Sequence, residues 1–215
     1  METKPLTTPI MPNVENYFGA VIENNVENVK SYLHMGVDIN SCTSEFNRTA
    51  LILAVMSLHL EMVTYLINAG ANINIIDKYG RSALSYSVAN RDPSLALLLL
   101  RSGANVNQSD SEEWTPLHTA ATMDNFACAN ALIDEGANIN AQDCYGLTPL
   151  MVAIGGSSAD IDSPQVAHLL IMRGADVNIT DFKGLTALSI LEEQIDPEFQ
   201  DAHLISILVQ ASTRP

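Results

Sequence analysis

The sequence predicts an all-α repeat solenoid. Two short phrases recur along the chain with one shared period, and a helical stripe of apolar residues recurs between them in the same phase. The first phrase reads GVDIN at 36–40, GANIN at 70–74, GANVN at 103–107, GANIN at 136–140 and GADVN at 174–178, so its leading glycines step by 34, 33, 33 and 38 residues. The second reads TALI from 49, SALS from 82, TPLH from 115, TPLM from 148 and TALS from 186, stepping by 33, 33, 33 and 38. Both phrases lengthen at the same place, which chance does not do to two independent motifs.

Each phrase has a physical reading. Thr115-Pro116 and Thr148-Pro149 open a helix: the hydroxyl accepts from an orphan backbone N–H, and proline suits the first helical position. Thr49, Ser82 and Thr186 keep the hydroxyl and put alanine after it. Leu51, Leu84, Leu117, Leu150 and Leu188 follow as inward anchors, with Ala54, Ala120, Ala121 and Ala153 small enough for close helix approach. A second helix in each repeat carries a stripe at i, i+3 and i+4: Val29, Val63, Ala96, Ala129 and Ala167, then Tyr32, Leu66, Leu99, Leu132 and Leu170, then Leu33, Ile67, Leu100, Ile133 and Ile171. The glycine just past it suits a left-handed cap. An arm then ends in a D-x-x-G tip at 77–80, 143–146 and 181–184, a turn-forming pattern.

These phrases resemble the ankyrin repeat, whose period is about 33 residues and whose signature is T-P-L-H-x-A. The resemblance covers about residues 14–212. It implies about six helix-turn-helix repeats with short β-hairpin arms, at approximately 14–46, 47–80, 81–113, 114–146, 147–184 and 185–212, between an N-terminal extension, 1–13, and a C-terminal tail, 213–215. The first repeat has lost the TPLH phrase, and the sixth has Ser212 where the glycine stood. From Thr148 to Gly174, and from Thr186 to Ser212, the interval is 26 residues against 21 in the three repeats before. Two acidic, proline-containing insertions, near Ser157–Pro164 and Glu193–Asp201, account for the difference. In the family, the histidine at the position of His118 bridges neighbouring loops, and that structural role is expected here.

Composition narrows the function. Twenty-five acidic residues against 10 basic give a formal charge of −15, which repels nucleic-acid phosphates and anionic membrane surfaces and steers basic partners inward. The three cysteines, Cys42, Cys128 and Cys144, have no CxxC spacing, and the five histidines are scattered, so neither a disulfide framework nor a metal site is expected. The N-terminus lacks the apolar core of a signal peptide and no apolar run approaches a membrane span, which points to an intracellular, cytoplasmic protein, with the nucleus as a second compartment. No phosphate loop, paired catalytic carboxylates or nucleophile constellation is present, so no catalytic residue, cofactor or enzyme activity is expected.

A binding module is the reading that remains. The resemblance implies that partners touch the hairpin tips and the exposed edge of the inner helices, on the concave side. Carried onto this sequence, those positions are Phe46, Arg48, Tyr79, Arg81, Glu112, Trp114, Met123, Tyr145, Leu147, Phe182 and Leu185, with the inner-helix pairs 56–57, 89–90, 122–123 and 155–156 beside them. The set holds the only tryptophan, two of six tyrosines and two of five phenylalanines in a chain that is only 6% aromatic, the residue types that dominate interface hot spots. The run SDSEE at 109–113 puts Glu113 where other tips have glycine and, with Asp124 and the insertions, would give Trp114 a negative flank. A basic and apolar helix or peptide of another protein suits such a surface.

The expected molecule is a monomer that inhibits or adapts its partner. A targeting adaptor or substrate receptor is the first alternative, although it would need a second motif beyond the repeats. An enzyme or small-molecule binder using the acidic insertions is the second. The family resemblance also marks Asn74, Asn107, Asn140 and Asn178, each eight residues after a leucine, as resembling sites of asparaginyl hydroxylation. Asparagine also satisfies turn hydrogen bonds unmodified.

Overall fold

The computed structural model describes residues 13–89, 93–155, 165–194 and 202–213, with the side chains of 194, 202 and 203 left aside. Among them are twelve helices, and the chain divides into two compact units, Met1–Asn72 and Ile73–Pro215. In the first unit, α1 (Val14–Ile22) pairs with α2 (Val26–His34), α3 (Ala50–Met56) pairs with α4 (Leu60–Asn68), and α1 packs on α3. Tyr17, Leu51, Ile52, Met62 and Leu66 fill its interior.

The second unit repeats this arrangement. Its helices are α5 (Ala83–Val88), α6 (Ser94–Arg101), α7 (Pro116–Thr122), α8 (Phe126–Asp134), α9 (Pro149–Gly155), α10 (Gln165–Met172), α11 (Ala187–Gln194) and α12 (Ala202–Ser212). Each odd helix packs on the even helix that follows it. The odd helices α5, α7, α9 and α11 also touch in series, as do the even helices α6, α8, α10 and α12, so the unit has two helical layers. Leu84, Leu99, Leu117, Leu132, Leu150, Met151 and Leu170 are fully buried between them.

The local signals act as expected. Thr49, Ser82, Thr115, Thr148 and Thr186 each accept the backbone N–H three residues on, at 3.2 to 3.4 Å. The glycines closing the second helices hold φ between 86° and 92°, and the next residue's N–H reaches back to the last turn, as Ala104 does to the Leu99 carbonyl at 3.0 Å. The first two stripe positions are buried from Val63 to Leu170, whereas the third is half-buried at Ile67, Ile133 and Ile171 because it lies at the edge of the stripe. The arms are turns rather than strands: the described residues contain no sheet, only the isolated antiparallel bridges Cys42 to Thr49 and Ile76 to Ser82.

Candidate functional site

The tips of the second unit are built on one carboxylate each. Asp77, Asp110, Asp143 and Asp181 turn Oδ1 back to accept two backbone N–H groups of their own turn, as Asp143 does from Tyr145 at 2.9 Å and Leu147 at 2.8 Å. Successive tips are then tied together by backbone hydrogen bonds. Ser111 N–H donates to the Tyr79 carbonyl at 2.9 Å, Cys144 to Glu112 at 3.0 Å, and Phe182 to Tyr145 at 3.0 Å. The chain therefore holds Tyr79, Glu112 and Tyr145 in one register along a row. Tyr145 and Phe182 are largely in solvent, 64% and 76% exposed, and the Phe182 ring lies over Gly146 of the preceding tip.

One tip departs from the others. Gly80, Gly146 and Gly184 close theirs with φ of 78°, 81° and 83°, and Glu113 takes the same left-handed backbone with φ of 62°. That conformation costs a residue with a Cβ about 1 to 2 kcal/mol. It is imposed by the turn around it, where Asp110 N–H donates to the Trp114 carbonyl at 3.0 Å and Glu113 N–H to the Asp110 carbonyl at 3.0 Å.

Beside this tip is a half-open hollow of about 270 Å³, lined chiefly by Arg81, Tyr86, Ala89, Asp110, Trp114 and Met123. Trp114 is half-buried; its Nε1 donates to Thr119 Oγ1 at 3.1 Å and its ring lies 5.1 Å from that of His118. Arg81 Nε pairs with Asp110 Oδ2 at 3.2 Å, and Tyr86 Oη donates to Asp77 Oδ2 at 2.6 Å. Met123 is 56% exposed at the rim. Arg81, Trp114 and Met123, expected from the sequence, thus meet in one place, together with Ala89 and Thr122 of the expected inner-helix pairs. Tyr86 also lines the wall and was not expected, whereas Asp110 was expected only as part of the acidic run at 109–113.

His118, behind Trp114, is fully buried. Its Nδ1 accepts the Thr115 N–H at 3.2 Å and lies 2.8 Å from the Thr115 hydroxyl, which leaves the proton on Nε2 to donate to the Leu147 carbonyl at 3.0 Å. Burial lowers its pKa and outweighs the Leu147 carbonyl, which acts the other way, so the ring is neutral. This histidine closes its own helix start and ties it to the next loop.

A family model described as ankyrin repeats (3 copies) matches residues 18–110 and 88–181. This chain belongs to the ankyrin-repeat family. Ankyrin repeats are general protein–protein interaction modules, a class to which the exposed tip row and the hollow are suited. The comparison with curated proteins gives no match.

The other expected residues of this ankyrin-repeat protein are distributed differently. Leu147 and Leu185 are half-buried, their backbone N–H groups held by the tip aspartates. Phe46 and Arg48 belong to the first unit, where the guanidinium sits 4.6 Å from the ring centroid. Asp124 Oδ1 accepts the Val166 N–H at 2.8 Å, so one oxygen of that carboxylate is engaged at the start of α10. Residues 156–164 and 195–201, and with them most of both acidic insertions, lie outside the described residues, as does Asn90.

The marked asparagines carry structure. Asn74 Oδ1 accepts the Asn105 N–H at 2.7 Å, Asn107 Oδ1 the Asn138 N–H at 2.7 Å, and Asn140 Oδ1 the Asp176 N–H at 2.9 Å. Asn178 makes no such bridge among the described residues. The sequence reading named the pair 56–57 but passed over Leu58 in the α3–α4 turn, which holds φ of 60° and stands exposed with Met56 and Leu60. Its only signal was a leucine at the turn position occupied elsewhere by Asn24 and Asp124.

Proposed function

We propose that this ankyrin-repeat protein is a non-enzymatic scaffold that binds another protein through the tip row and hollow of its second unit, and that it acts as an inhibitor or adaptor by covering a surface of that partner. The observation that carries the reading is the convergence of Trp114, Met123 and Arg81 on one open hollow, beside a row in which Tyr145 and Phe182 stand exposed. Tryptophan, tyrosine and arginine in a partly desolvated pocket are the usual anchors of an interface. A charge of −15 favours a basic partner, and three free cysteines suit a reducing intracellular setting.

The test is capture from cell lysate by the wild type and by two variants, Tyr145→Ala and Trp114→Ala, compared by mass spectrometry. Tyr145 is the cleaner probe, because its side chain is mostly in solvent, whereas the Trp114 ring also lies tilted against His118 and donates to Thr119. Circular dichroism therefore accompanies both. Trp114→Ala is expected to weaken partner binding by about 2 kcal/mol, a hot-spot loss, with the helical signal retained. Equal recovery of every protein by wild type and both folded variants sinks the site.

A further inference from the structure

We infer that the hollow beside Trp114 takes one apolar side chain from an extended, basic segment of the partner protein, and that Glu113, helped by Glu112, pairs with a lysine or arginine adjoining that side chain. The inference rests on the protein-binding reading above and names the chemistry that the site selects.

Three observations lead to it. The first is shape: the hollow, of about 270 Å³, is open to the surface rather than closed around its contents, so a side chain presented by a larger partner can enter it. Tyr86, Ala89, Trp114 and Met123 give it an apolar lining.

The second is the distribution of charge. Arg81, the one cation of the lining among the described residues, is already paired with Asp110, so an acidic group arriving at it would compete with a carboxylate held in place by two backbone N–H groups. Glu112 and Glu113 flank Trp114 on the exposed tip and have no ion-pair partner among the described residues. A cation arriving beside the hollow finds two carboxylates ready, and the net charge of −15 steers it there.

The third is the backbone at Glu113. The turn asks for a left-handed residue, and three neighbouring tips supply glycine. Here the chain places a glutamate in that conformation, next to its only tryptophan. Glycine would serve the turn better. A carboxylate held there against local preference belongs to a binding function rather than to the fold.

The experiment uses the whole chain and the emission of Trp114, the only tryptophan. Three short synthetic peptides with Gly/Ser flanks and the centres Lys-Leu-Lys, Glu-Leu-Glu and Lys-Ser-Lys are titrated in turn. Lys-Leu-Lys is expected to shift the emission and to bind at least about threefold more tightly than Glu-Leu-Glu, the scale of an exposed ion pair, with the difference shrinking in high salt. Lys-Ser-Lys is expected to leave the emission unchanged. Two variants separate binding from folding. Glu113→Gln should shrink the preference for the basic peptide at an unchanged melting temperature, and Glu113→Gly should shrink it while melting higher. Equal affinities for the two leucine peptides, a preference undiminished by Glu113→Gln, or no response to any peptide overturns the inference. A leucine-dependent shift without charge preference does so while leaving the protein-binding reading in place; that reading fails separately, by equal recovery in the lysate capture.

Discussion

His118 Nε2 donates across 3.0 Å to the carbonyl oxygen of Leu147, 29 residues further along the chain, while its Nδ1 accepts from Thr115 at the start of its own helix. The bond accepted by Nδ1 requires the neutral ring, since a protonated Nδ1 has no lone pair left for the Thr115 N–H. Burial lowers the pKa of His118 below its usual 6.5, so below that value the unfolded chain takes up a proton that the folded chain refuses. The stabilisation is fully present above pH 6.5 and is lost as pH falls from there toward the lowered folded value. Denaturation midpoints at pH 7.5 and pH 5 should therefore fall further for the wild type than for His118→Gln. Equal falls in the two proteins would mean that other groups set the acid sensitivity.

Gly146 and Gly184 occupy the same position in neighbouring tips with nearly the same φ, yet they should respond differently to alanine. A Cβ at Gly146 would meet the Phe182 ring at 2.7 Å and the Phe182 backbone nitrogen at 2.8 Å, whereas one at Gly184 meets nothing within 4 Å among the described residues. Gly184→Ala carries only the left-handed cost of about 1 to 2 kcal/mol. Gly146→Ala adds an overpacking term of about 1 to 3 kcal/mol, because backbone must move. Urea denaturation of the two variants decides it, and equal losses would mean that Phe182 simply swings away.

That contrast shows where sequence reading stops. The hydroxyl caps at Thr49 and Thr115, the glycine at Gly103 and the stripe of Leu66 and Leu99 were legible because each is a contact within one turn or one helix, where spacing dictates geometry. The bridge from His118 was legible through the family signature. The contact of Phe182 with Gly146, and the meeting of Tyr86 with Trp114 across 28 residues, depend on how one hairpin is set against the next, which packing and not spacing determines. Asp124 shows the same limit: its charge was visible in the sequence, its engagement with Val166, 42 residues away, was not.

Asn107 and Asn178 share a place in the repeat but not a workload. Asn107 accepts from Asn138 N–H at 2.7 Å and donates to the Gly136 carbonyl at 3.2 Å, joining two turns. Asn178 has no side-chain bond of this kind among the described residues. With a net contribution of about 0.5 to 1.5 kcal/mol per hydrogen bond, Asn107→Ala should cost about 1 to 2 kcal/mol. Asn178→Ala should stay within about 0.5 kcal/mol of wild type, as surface changes do. Thermal and chemical denaturation of both variants tests the difference, and a loss at Asn178 equal to that at Asn107 would refute it.

Tyr17 lies in the interior of the first unit with 0% exposure, and its hydroxyl has no hydrogen-bond partner among the described residues. Its ring is well placed, 5.4 Å from that of Phe18 and 6.4 Å from that of Tyr32, so the ring and the hydroxyl contribute in opposite directions. Burial pushes the phenol pKa up, with Tyr65 and Asp38 adding to it, so the group is uncharged in the physiological range and only the neutral O–H matters. An unsatisfied buried polar group costs about 1 to 3 kcal/mol. Tyr17→Phe removes the hydroxyl and keeps the ring, and is expected to raise the denaturation midpoint, whereas Tyr17→Leu should lower it by removing the aromatic contacts. A lower midpoint for Tyr17→Phe would show that the hydroxyl is bound in solution, with water as the natural partner in so small a space.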